Sequence, residues 1–161
     1  MAIACRRPGG FTLIELVVTV TIVGILASLA IPSMHRLIMT QYIRSAANEL
    51  QSSLFFARSE AIKRAVSISV VPAGNKWTGG WTVQLPDNSV LRRVNALSTN
   101  LTSVSGSTIT YQLNGRMSAL PGQIVFETAD TDIPARCVTV DLSGRPSVVY
   151  DTNGDNSDGC N

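Results

Sequence analysis

The chain has 161 residues, room for one domain and one further segment but not for two full domains. Thirteen Lys and Arg stand against 11 Asp and Glu; Arg6 and Arg7 supply the whole excess, so the rest is balanced and gives no electrostatic reason for strong nucleic-acid binding. A single histidine, His35, argues against a zinc site and supports no Ser–His–Asp set.

The apolar content of 45% is concentrated at the N-terminus. From Phe11 to Ile31 the only charged residue is Glu15. As a helix this run covers roughly 30 Å, the thickness of a bilayer core, and helix is the conformation that satisfies its backbone in lipid. Arg6 and Arg7 precede it, so the positive-inside rule keeps the first residues in the cytoplasm and sends the C-terminal part across. A removable secretory signal needs a small-residue cut site after the apolar run, where Pro32 stands instead. The small residues suited to a cut, Gly9 and Gly10, come before it.

The string Gly10-Phe11-Thr12-Leu13-Ile14-Glu15 resembles the type IV prepilin signature. The resemblance implies cleavage between Gly10 and Phe11 by a prepilin peptidase, N-methylation of Phe11, and a leader of residues 1–10. A carboxylate in the apolar layer costs on the order of 3 kcal/mol unless paired. Glu15 either reaches the headgroups from the helix start or, as the resemblance implies, meets the Phe11 amine of a neighbouring subunit. Gly24 and Pro32 bracket a stretch of poor helix formers. The resemblance implies that the helix loosens between them in an assembled filament.

Beyond Pro32 the pattern becomes amphipathic. Ile43, Ala46, Ala47, Leu50, Leu54, Ala57 and Ala61 recur at spacings of three and four, predicting one helix over 11–64 with its second half packed on a sheet. Arg44, Glu49, Arg58, Lys63 and Arg64 fall mostly off the stripe and read as a solvated face. After Val66 the predicted strands are 66–71, 81–85, 90–94, 108–113, 123–127, 137–142 and 146–150, separated by turn residues such as Asn114-Gly115 and Ser143-Gly144. Residues 97–106, rich in Ser, Thr and Asn, are predicted as an exposed loop. The fold class is α+β: a long N-terminal helix, membrane-spanning over 11–31, packed on an antiparallel β-rich head over 65–161.

Glu49-Leu50, Leu54, Ala57-Arg58-Ser59-Glu60-Ala61, Trp77, Gly80-Trp81, Gly115-Arg116 and Cys137 leading to Gly144-Arg145 resemble the GspH/FimT family of minor pilins and pseudopilins. The resemblance implies a processed, N-methylated minor type IV pilin that helps initiate pilus assembly. It equally fits a pseudopilin of a type II secretion system, or a DNA-binding subunit for natural transformation. The implied partners are other major and minor pilins or pseudopilins, the prepilin peptidase and the bacterial inner membrane, with the head in the periplasm before assembly into a pilus or pseudopilus.

Cys5 falls in the leader, leaving Cys137 and Cys160, and an even count in an exported domain reads as a disulfide. Trp77 and Trp81 read as core before ligand platform. DNA-receptor members of the family carry a Gly-Arg-x-Arg motif; here the string is Gly144-Arg145-Pro146-Ser147, without the second arginine. From Cys137 onward Arg145 faces Asp141, Asp151, Asp155 and Asp158, which disfavours DNA; Arg92 and Arg93 are the remaining candidate basic patch. Asp151, Asn153, Asp155 and Asp158 alternate oxygen ligands in the manner of a calcium loop. The Gly and terminal Glu of an EF-hand are missing, so a solvated loop closed by the disulfide is the favoured account, with no cofactor. No catalytic constellation is legible, and the expectation is a protein that is not an enzyme.

Overall fold

The computed structural model of the protein describes residues 10–103, 106–153 and 159–160. The chain divides into two units, one through Leu37 and one from Ile38 onward. One helix, α1 (Leu13–Arg64), runs through the boundary.

In the first unit α1 carries an apolar window of mean hydropathy 2.4, none of it buried. Its length and composition suit a bilayer crossing. The backbone is helical at both Gly24 and Pro32.

The second unit is built on the other half of α1. The predicted stripe is the buried one: Ile43, Ala46, Ala47, Leu50, Leu54, Ala57 and Ala61 are at most 2% exposed. Four of these seven are alanines, which let the strands approach the helix closely, while Leu50 and Leu54 fill the wider gaps. Truncating either leucine is expected to cost about 2–5 kcal/mol. The helix ends at Arg64, and Ala65 takes the left-handed conformation (φ 53°) that turns the chain toward the first strand.

The strands are β1 (Ile68–Pro72), β2 (Trp81–Gln84), β3 (Val90–Val94), β4 (Leu101–Ser103), β5 (Ile109–Tyr111), β6 (Ile124–Thr128), β7 (Arg136–Val140) and β8 (Pro146–Tyr150). They form two four-stranded antiparallel sheets, in the orders β3-β2-β1-β5 and β4-β6-β7-β8. β1 and β2 alternate buried and half-buried residues, as a sheet covered on one face should. Trp77, Trp81, Tyr111 and Phe126 are the largest fully buried side chains, and the two indoles meet edge to face at 6.0 Å. Both tryptophans are therefore core.

Three expectations are corrected. The predicted loop 97–106 contains β4, anchored by buried Leu101 and paired with β6; Leu97, Leu101 and Val104 stand four and three positions apart in the sequence and so do not alternate as a strand does. The predicted strand over 137–142 is displaced to Arg136–Val140. β7 is buried on both faces, because Val125, Ala135, Cys137 and Cys160 make a second small cluster, so alternation did not mark its ends. The helix begins at Leu13, since Thr12 stands outside it as its cap.

Candidate assembly surfaces

The N-terminus places the predicted processing and assembly residues together. Gly10 has open space where a Cβ would stand, and Phe11 is 80% exposed, so the Gly10–Phe11 bond is sterically accessible. Thr12 Oγ1 accepts the Glu15 N–H at 3.3 Å, and Glu15 Oε2 accepts the Thr12 N–H at 3.5 Å. This reciprocal pair is a capping box, which the sequence signals as Thr12-x-x-Glu15 at the start of the apolar run. It gives Glu15 a role within its own chain: the carboxylate satisfies a backbone donor at the helix start.

In the head, two tight turns from different sheets touch. Gln112-Leu113-Asn114-Gly115 follows β5, and Asp141-Leu142-Ser143-Gly144 joins β7 to β8. Gly115 and Gly144 both have positive φ, 73° and 79°, and a Cβ on Gly144 would stand 2.0 Å from the Gly115 carbonyl oxygen. From α1, Arg58 donates through Nε to Gly115 O at 3.2 Å and through Nη2 to Ser143 O at 3.1 Å. One guanidinium thus ties helix and both turns together. Asp141 organises the second turn by accepting from Ser143 Oγ and from the Arg145 N–H; these bonds hold its carboxyl below the usual carboxylate range.

The predicted solvated face of α1 is only partly that. Arg58 is in the clasp, and Glu49 pairs with Arg92 at 2.8 Å. Arg92 also lies 5.9 Å from the Phe56 ring centroid. Strand alternation sends Arg93 to the other face of β3, where it lines a cleft with Trp81 and Thr82. Arg92 and Arg93 therefore do not form one basic patch, and Arg145 lies apart from both in the turn before β8.

Cys137 and Cys160 are bonded, as expected. The Gln123 side chain clasps the other side of Cys160: its Nε2 donates to Cys160 O at 3.3 Å and its Oε1 accepts the Cys160 N–H at 3.0 Å. Asp151 is buried, with its N–H donated to Ala135 O and its Oδ1 accepting the Asn153 N–H. Asp155 and Asp158, the other acids of the predicted calcium loop, lie outside the described residues. Among the described residues no group of three or more His, Cys, Asp and Glu is placed to hold a metal ion.

A membrane-length helix with a methylation-type start, continuing into a helix packed on antiparallel sheets, defines the class of type IV pilin-like proteins. Residues 46–144 match the family of the type II transport protein GspH, and residues 5–31 match the prokaryotic N-terminal methylation motif. The chain belongs to the GspH family. Its structure is similar to that of the type IV minor pilin FimU of Pseudomonas aeruginosa in two crystal forms. In one form the identity is 26% over 66% of this chain and 87% of FimU, with a TM-score of 0.55. In the other it is 25% over 65% and 90%, with a TM-score of 0.56. No curated protein matches the sequence.

Proposed function

We propose that this chain is a minor pilin, cut between Gly10 and Phe11 and methylated on Phe11, that helps initiate assembly of a type IV pilus. The observation carrying this reading is the first unit: an unburied apolar helix whose one carboxylate, Glu15, stands at its start. Before assembly the helix anchors the protein in the inner membrane with the head in the periplasm. During assembly the Glu15 carboxylate exchanges its capping bond for the Phe11 amine of a neighbouring subunit, and the helix loosens between Gly24 and Pro32. The work of the protein is contact with other pilins, and no chemical step is assigned to it.

A pseudopilin of a type II secretion system is the second reading, favoured by the match to the GspH model. DNA binding is disfavoured, because Arg92 is committed to Glu49 and Phe56 while Arg145 sits beside Asp141. The deciding measurement is the amount of pili sheared from a deletion strain. Loss of pili restored by the intact gene, but not by Glu15→Ala, supports the minor-pilin reading. Undiminished pili would sink it, and impaired secretion in the same strain would support the pseudopilin.

A further inference from the structure

The turn Gln112-Leu113-Asn114-Gly115 ends on an asparagine followed by a glycine, the dipeptide most prone to lose its side-chain amide. The reason is steric. With no Cβ on the second residue, its backbone nitrogen can reach the asparagine Cγ and close a five-membered ring. The chain holds two such pairs, Asn114-Gly115 and Asn153-Gly154.

At the first pair the fold locks the attacking group. Asn114 is exposed, whereas Gly115 is buried. The Gly115 N–H donates to Gln112 O at 2.7 Å, so the nitrogen is committed to the turn. The Gly115 carbonyl accepts from Arg58 Nε at 3.2 Å and lies against Gly144. Gly115, with φ 73°, is the left-handed residue that a type I turn with a following bulge requires in a short hairpin, closed here by the bridge between Tyr111 and Met117.

The group to be attacked is not held back in the same way. Asn114 Oδ1 accepts the Arg116 N–H at 3.0 Å, and a donor at that oxygen draws charge from Cγ and favours attack on it. The side-chain carbonyl is polarised while the nitrogen stays locked.

We propose that Asn114-Gly115 is a site of spontaneous deamidation that the Arg58 clasp holds shut, with water as the only other reactant. When Arg58 lets go and Gly115 leaves Gly144, the Gly115 nitrogen gives its proton to solvent and bonds to Cγ. The Cγ–Nδ2 bond breaks, ammonia leaves with a proton returned by solvent, and a succinimide remains. Water then opens one of the two ring bonds to the nitrogen. Breaking the bond to Cγ gives aspartate; breaking the bond to the former main-chain carbonyl carbon gives isoaspartate, with one more carbon in the main chain. That longer turn lies beside a contact with no room for a methyl group on Gly144, so the clasp does not re-form. A reversible opening is thereby made permanent.

The test is peptide mapping by mass spectrometry of the purified full chain in detergent, kept at mildly alkaline pH either folded or in guanidinium chloride. Conversion at Asn114 should be on the order of a hundredfold slower in the folded chain, and Arg58→Met should speed the folded rate roughly tenfold by removing both bonds that Arg58 makes. Conversion at Asn153 is the internal clock and should not change with Arg58→Met. A folded rate equal to the unfolded one, or one indifferent to Arg58→Met, would overturn the gate. So would an equal acceleration at Asn153, which would trace the effect to unfolding of the whole chain. If Arg58→Met does not fold, the ratio of folded to unfolded rates in the unsubstituted chain decides alone. The isoaspartate form should melt below the unconverted chain, and an equal melt would overturn the trap.

Discussion

Gly144 lies against Gly115 so closely that no side chain fits between them: a Cβ on Gly144 would reach within 2.0 Å of the Gly115 carbonyl oxygen. The contact joins the turn after β5 in one sheet to the turn between β7 and β8 in the other. Gly144→Ala meets both a backbone clash and a positive φ. It is expected to lose about 3 kcal/mol or more, read from denaturant melts of the full chain in detergent. Gly115→Ala, whose Cβ would come closest to side-chain atoms of Ile62 and Arg58 and not to backbone, should lose less. Equal losses would show that φ, and not the close approach, governs the contact.

Arg58 is the residue that ties this contact to α1. Arg58→Met keeps the aliphatic stem and removes both donors to Gly115 and Ser143. The expected loss is about 1.5–3 kcal/mol, the range for hydrogen bonds made by a charged group. Arg58→Lys should recover little, because one ammonium does not span both carbonyls in the fixed geometry of the fork. Hydrogen exchange should show both turns opening together in the methionine variant.

The disulfide closes a sequence separation of 23, a loop for which chain entropy gives roughly 3 kcal/mol. Cys160→Ser should lower stability by about that amount. Gln123→Ala, which leaves the disulfide but removes both bonds to the Cys160 backbone, should cost about 1–2 kcal/mol. An unchanged melt for Cys160→Ser would mean that Gln123 holds the segment without the covalent link.

Two tyrosines should titrate in a set order. Hydrogen bonding and then the charge of Arg136 lower the Tyr150 hydroxyl, whereas burial raises that of Tyr111 well above its ordinary value. Above pH 10 the unfolded chain releases the Tyr111 proton and the folded chain keeps it, so stability should fall as pH rises there. An ultraviolet titration should lose its earliest tyrosinate step in Tyr150→Phe and its latest in Tyr111→Phe. A late step that persists in Tyr111→Phe would refute the assignment.

Acid should act through Asp141. Its folded-state pKa is lowered by Ser143 Oγ and the Arg145 N–H, so its stabilisation is present above the ordinary Asp range. That stabilisation is lost as pH falls through the folded value. Asp141→Asn should therefore flatten the acid limb of the stability curve, and an unchanged limb would exclude this turn as its source.

The features legible before folding are those carried by short-range pattern. The apolar run to Ile31 is written as length and composition, and the stripe from Ile43 to Ala61 and most strands as periods of 3.6 or 2, which depend on neighbours a few positions away. The pairing of Cys137 with Cys160 was legible because Cys5 falls in the expected leader, which leaves two cysteines in the exported part. Tertiary structure alone decided where unlike segments meet. Arg58 looked like a solvated charge until two turns, 57 and 85 positions away, supplied its carbonyls. Arg92 and Arg93 looked like one patch until pairing with β2 sent them to opposite faces. β4 rests on Leu101 and a partner strand 25 positions away. A residue's chemistry is local, but its partner is chosen by the path of the whole chain.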